Sequence, residues 1–142
     1  MFNFNRFVTP HFKASEFFVS ANHPDLVDGC RSAFLKNVDY YFPRMCVLAY
    51  VLEILRSKCD FPLVITSGFR DQKLNSAVGG VSNSDHRKML AVDISLSGLT
   101  DEQKLLLQGL VVRNLYSFFR YREIHDTYIH LSIHPHLFTI LN

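Results

Sequence analysis

The sequence has no apolar run approaching the roughly 18 residues that a membrane-spanning helix needs, which excludes a helical span. Its opening, MFNFNRFVTPHF, contains no apolar stretch of signal-peptide length, so the chain is expected to be made and kept in a reducing cytoplasm. Cysteine is scarce. Cys30, Cys46 and Cys59 are odd in number and lack both framework and zinc-motif spacing, which excludes a disulfide scaffold and a cysteine-based zinc site. Cys46 falls within a helical pattern and reads as a small core residue. Charge of one sign is also lacking. The net charge is +2, without clustered Lys and Arg, and this excludes the electrostatic footprint of a nucleic-acid binder. Gly79-Gly80 and the polar loop after them lack the lysine of a phosphate-binding loop. Tryptophan is absent, repeats and linkers are absent, and low-complexity segments are absent. The whole chain, 1–142, is therefore read as one domain, expected to be monomeric, with enough length for a real core.

What is present is a globular composition, 48% apolar and 20% charged, with 13 Phe and 6 Tyr. Residues 1–13 look extended and irregular, and Ser15 suits the cap of a short helical turn. A helix is expected over Asp25–Tyr40, weakened by Gly29. A second should begin with Pro43 at its first position, where a missing N–H costs little. There Met45, Leu48, Ala49, Leu52 and Leu55 recur at helical spacing to about Lys58 and mark a core face. Phe61–Thr66 reads as a strand, and Asp71–Ala77 as a short helix ended by Gly79-Gly80. Thr100-Asp101-Glu102-Gln103 is a capping box opening a helix to about Tyr116. Phe118–Ile124 and Tyr128–Ile133 are strands joined by His125-Asp126-Thr127. The fold class is α+β, with helices packed on one face of a small, mainly antiparallel sheet.

The chain is organised around Ser67–Asp93. Asp93 lies in the apolar strand Leu90–Ile94 and points away from Val92 and Ile94, because side chains alternate along a strand. His86 lies seven residues upstream in a polar turn. Zinc takes imidazole nitrogen and carboxylate oxygen, and catalytic sites keep one position open. Two ligands are too few, so a third is expected. His130 suits it, because Ile129, Leu131 and Ile133 take one face of their strand and Tyr128, His130 and Ser132 the other. By residue type alone, a His and an Asp at this spacing are also common by chance.

Four segments carry a resemblance: Ser67-Gly68-Phe69-Arg70, Asn75-Ser76-Ala77-Val78-Gly79-Gly80, Ser84-Asp85-His86 through Ala91-Val92-Asp93, and Tyr128-Ile129-His130. Together they resemble the signature of the M15 zinc peptidases, the D-Ala-D-Ala carboxypeptidase family, whose metal core is shared with the Hedgehog signalling domain. His11–Phe17 is similar to the opening of small phage-type members. The sequence departs from the pattern twice. Met89 stands where the family has glycine, and Thr127 stands where many relatives have Glu, three residues before the last His.

The resemblance implies a Hedgehog/DD-peptidase-like fold, Zn2+ held by His86, Asp93 and His130, and hydrolysis of peptide bonds in bacterial peptidoglycan, as in a phage lysis enzyme acting on the wall after release. It also implies that Arg70 grips a substrate carboxylate or carbonyl, a task for which a permanently charged fork is suited. With Thr127 unable to act as base, Asp126, four residues before His130, is the expected base. Glu123 is the reserve and Asp85 a third choice. Ser84 reads as a loop-ordering residue, and His125 as an approach to substrate from the turn. The alternative is a non-catalytic, zinc-stabilised binding domain of the same fold, which the missing Glu favours and Arg70 opposes.

Overall fold

A computed structural model describes residues 1–113 and 118–135. The described residues are α+β. A hairpin of β1 (Phe7–Thr9) and β2 (Phe12–Lys13) precedes α1 (Val27–Lys36) and α2 (Val38–Ser57). Then come β3 (Ile65–Ser67), α3 (Gln72–Ala77), β4 (Ala91–Ser95), α4 (Asp101–Arg113), β5 (Phe119–Ile124) and β6 (Tyr128–Ile133). The main sheet has the order β3-β4-β6-β5 and is antiparallel throughout. No described helix is long and apolar enough to cross a membrane.

The α2 stripe is core as its spacing requires. Met45, Leu48, Ala49, Leu52 and Leu55 are fully buried, with Val51 beside them. Each large side chain of this kind contributes about 1.5–3 kcal/mol on leaving water. Val92 and Ile94 from β4, and Ile129, Leu131 and Ile133 from β6, join the same core. The opposite face of these strands is left for polar side chains.

Three expected boundaries move. The helix expected over Asp25–Tyr40 runs only over Val27–Lys36 and stops at Asn37, whose backbone leaves helical geometry and whose carbonyl accepts from Tyr40 and Tyr41, so one residue both ends α1 and starts α2. Pro43 consequently lies inside α2 rather than at its first position. The carbonyl it leaves without a helical partner is that of Asp39, which is exposed, so water can take the bond. The strand expected over Phe61–Thr66 shrinks to Ile65–Ser67, and residues 1–13, expected to be irregular, form a hairpin too short to show a period. The capping box forms as expected: Thr100 Oγ1 accepts from Gln103 N at 3.1 Å, and Gln103 Oε1 from Thr100 N at 2.9 Å. The extension of that helix to Tyr116 lies outside the described residues.

Met89 shows what its departure from the family pattern means. It ends the 3-10 turn Asp85–Lys88 in the left-handed region, with φ 56°, where glycine is the unstrained choice. A non-glycine residue there costs about 1–2 kcal/mol. Its side chain is fully buried, and truncating a buried Met costs about 2–5 kcal/mol, so packing outweighs strain. Met89→Gly is therefore expected to lower stability by up to about 4 kcal/mol in denaturant titration, despite supplying the residue of the resembled signature. A more stable variant would show that strain is the larger quantity.

Candidate metal centre

The site is a row of side chains across the sheet. Ser67 pairs with Asp93, Asp93 with His130, and His130 with Glu123. Residues directly opposite in an antiparallel ladder share a face, so all four project to the side away from Val92 and Leu131. His86 enters from above this row, on the 3-10 turn that begins at Asp85, with the Ser84 hydroxyl accepting from its backbone N–H at 3.2 Å.

His86, Asp93 and His130 bring one ligand atom each to within 4.8 Å of one another. His130 Nδ1 lies 2.9 Å from Asp93 Oδ1, and His86 Nε2 lies 3.4 Å from the same oxygen. Ligands about 2.0–2.2 Å from a tetrahedral zinc stand about 3.3–3.6 Å apart, so the cluster needs little adjustment. The outward nitrogens are already committed. His86 Nδ1 is 2.8 Å from the Gly68 carbonyl, which can only accept, so Nδ1 carries a proton and Nε2 is the nitrogen turned inward to Asp93. His130 Nε2 is 2.8 Å from the buried Ser132 hydroxyl. This fixing of ring orientation is what imidazole ligands to a metal require. Burial alone would raise the Asp93 carboxyl, but hydrogen bonds from His130 and His86, together with their charge, hold it well below the usual carboxylate range. It is therefore ionised and ready as a ligand.

The quoted motifs acquire causes here. A side chain on Gly68 would place its Cβ 2.4 Å from the Phe17 carbonyl oxygen, a backbone clash, so only glycine holds the carbonyl that His86 uses. Arg70 Nε donates to Ser67 Oγ at 3.3 Å, and its Nη1 donates to Asn75 Oδ1 at 3.3 Å. Arg70 Nη2 stands 3.9 Å from Asp93 Oδ2. Asn75 is buried and donates through Nδ2 to the Val81 carbonyl at 2.8 Å, and a Cβ on Gly80 would fall 2.3 Å from Asn75 Oδ1. The Asn-x-x-Val-Gly-Gly segment thus ties Arg70 and the loop before His86 into one unit.

A cleft of about 480 Å³ opens over the row, and its lining includes Arg70, Gly80, His86, Asp93, Glu123, His125, Tyr128 and His130. The two carboxylates among the residues lining it are Asp93 and Glu123. Glu123 is held at both ends. Tyr121 OH donates in a short bond to Oε2, and His125 Nε2 lies 2.9 Å from Oε1 while its ring stacks on Tyr128 at 4.3 Å. Asp126, expected from the sequence as the base, is placed differently. It is exposed at the tip of the β5–β6 hairpin and does not line this cleft. The reason is the turn: His125 N donates to the Tyr128 carbonyl, which closes a tight loop and turns Asp126 and Thr127 away from the sheet face.

A family model described as Peptidase M15 matches residues 10–132. The chain belongs to the peptidase M15 family. That match spans every element of the site and most of the chain. Neither the curated proteins nor the solved structures contain a significant match. For this M15 member, sequence reasoning did not single out Ser132, Tyr121 or Arg120. Ser132 was visible on the polar face of its strand, two residues from His130. Tyr121 and Arg120 had no such signal, because their placement depends on a bulge in β5 described below.

Proposed function

We propose that this M15 peptidase is a zinc enzyme that cleaves peptide bonds in bacterial peptidoglycan, with His86, Asp93 and His130 as the metal ligands, Arg70 as the substrate grip and Glu123 as the general base. The observation that carries this is the row Asp93–His130–Glu123, which aligns two ligands and a cleft-facing carboxylate on adjacent strands. Zinc held there would polarise a scissile carbonyl and lower the pKa of a water molecule from 15.7 toward about 7. The protein's own tasks are then to place the peptide and move the proton. Glu123 accepts the attacking water's proton on a carboxylate oxygen and returns it to the departing amine nitrogen. Tyr121 and His125 keep that carboxylate turned to the cleft.

Arg70 lies largely buried beside Asp93. Burial lowers its guanidinium from the ordinary value and Asp93 opposes that. It remains charged, since arginine does not lose its proton in proteins. Its placement by Ser67 and Asn75 suits a grip on the substrate's carboxylate or carbonyl oxygen. Arg70→Ala is expected to keep full zinc and to lose about ten- to a hundredfold in kcat/KM, the worth of a charge-assisted hydrogen bond. Arg70→Lys should be impaired as well, since an ammonium lacks the fork. Kinetics equal to the parent would remove Arg70 from the reaction.

The similarity of His11–Phe17 to small phage-type members supports a lysis role, exercised on the wall after release from the cell that makes the protein. The deciding experiment is digestion of purified muropeptides by the zinc-loaded protein, with products identified by mass. If a zinc-replete sample cuts none, the better reading is a non-catalytic zinc-stabilised binding domain, which Thr127 in place of the usual Glu favours.

A further inference from the structure

We infer that the cleft continues past His130 into a second subsite, built around Arg120, that binds a free carboxylate on the substrate peptide. The inference rests on the peptidase reading above and names the kind of peptide that the site selects.

The first observation is a bulge. Phe119 pairs with Ile133 and Tyr121 with Ser132, so two steps along β5 match one step along β6 and Arg120 is the extra residue. Phe119 is buried in the core, while Tyr121 lies on the polar face. In an unbroken strand Phe119 and Tyr121 would share a face, and the bulge instead puts Arg120 and Tyr121 together on the cleft side. Bulges re-aim side chains in this way, often beside active sites.

The second observation is a continuous space. A further hollow of about 480 Å³ is lined by Val81, Asn83, Ser84, Asp85, Arg120, Tyr121, His130 and Ser132. Val81, Ser84, Tyr121 and His130 line the catalytic cleft as well, so the two form one trough crossing the ligand row. Arg70 lies at one end of the trough and Arg120 at the other.

The third is how Arg120 is held. Asp85 is buried beneath it and accepts from Nη2 through Oδ2 in a short bond. Asp85 belongs to the turn that carries His86, so the guanidinium is set by the same loop that sets the metal ligand. Nε and Nη1 have no partner among the described residues, and 45% of the side chain is exposed to the trough. A planar fork with one corner anchored and the rest open is prepared for a carboxylate. A stem peptide whose second or third residue keeps a free carboxyl group could dock it there, and amidation of that group would remove the charge. The subsite would therefore distinguish the two chemistries.

The test uses the zinc-loaded full chain and three synthetic stem pentapeptides: one unamidated, one amidated at the second residue's free carboxyl, and one at the third's. Cleavage rates and equilibrium binding by calorimetry are measured for the parent and for Arg120→Gln, with zinc content recorded in parallel. The expected result is that one amidation lowers kcat/KM and weakens binding about ten- to a hundredfold. Arg120→Gln should cause the same loss on the unamidated peptide, none further on that amidated peptide, and no loss of zinc. Equal losses on all three peptides, or no loss on any, would overturn the subsite and leave Arg120 as a clasp for the His86 turn. If the parent cleaves none of the peptides, the peptidase reading fails by itself. Calorimetry then still decides the subsite, by whether the charge-dependent difference in binding disappears in Arg120→Gln.

Discussion

His130→Ala and His86→Ala are each expected to lose at least about a hundredfold in zinc affinity and to lose cleavage with it. Removing even a group that merely supports a metal ligand costs about 10–100-fold in affinity, so removing a ligand must cost more. The two variants differ in how cleanly they speak. His86 is buried, and its Nδ1 ties the turn to Gly68, so its removal also opens space in the core. His130 keeps 19% of its side chain exposed and can be truncated with less damage to packing. Zinc per chain, measured after dialysis against a zinc-buffered solution, is expected near one for the parent and near zero for both variants. Stability gives an independent readout. Zinc at a hundred times its dissociation constant stabilises the parent by about 2.7 kcal/mol, and should leave His130→Ala nearly unmoved. Retention of one zinc by both variants would show that the ion sits elsewhere.

The three residues of the candidate metal cluster were legible in the chain because each carries a local signal. Asp93 sits at odd parity to two core aliphatics, His130 at odd parity to three, and His86 in a polar turn just ahead. Gly68, Asn75 and Gly80 were legible only as motif letters, since their reasons are contacts over distance: the Phe17 carbonyl for Gly68, the Arg70 guanidinium for Asn75, the Asn75 amide for Gly80. The cleft-lining carboxylate of β5 was less legible. Separation along the chain favoured Asp126, but what brings a carboxylate over the row is register across the ladder, and the His125–Tyr128 turn sets Glu123 opposite His130. The bulge further along β5 hid Arg120 and Tyr121, because a period-two reading of β5 places them on opposite faces. Pro43 misled for a related reason. Its preference for a helix start is a local rule, and the break at Asn37 that actually starts α2 carries no side-chain cap to announce it.

Glu123→Gln is expected to lower the cleavage rate by about 10²–10⁴-fold at unchanged zinc content, the usual worth of a positioned general base. The substitution keeps shape and removes the capacity to take a proton. Glu123 is cross-strand partner to His130, and it faces the cleft with both oxygens already engaged by Tyr121 and His125. It is not one of the three grouped ligands, so the metal should stay. Asp126→Asn is the control, because Asp126 is exposed at the hairpin tip, and its rate should remain within about twofold of the parent, as for surface changes of small energy. Both variants are to be assayed on one muropeptide at one zinc activity, with zinc per chain determined on the same samples. A large loss in Asp126→Asn with little in Glu123→Gln would return the base to the hairpin, and would require that turn to fold inward over the row when substrate binds. A loss in neither would mean that the proton passes from the attacking water without a carboxylate of β5 or of its turn. A Glu123→Gln protein that loses zinc together with activity would make Glu123 a participant in metal binding, and the row Asp93–His130–Glu123 would then be a ligand set rather than ligands beside a base.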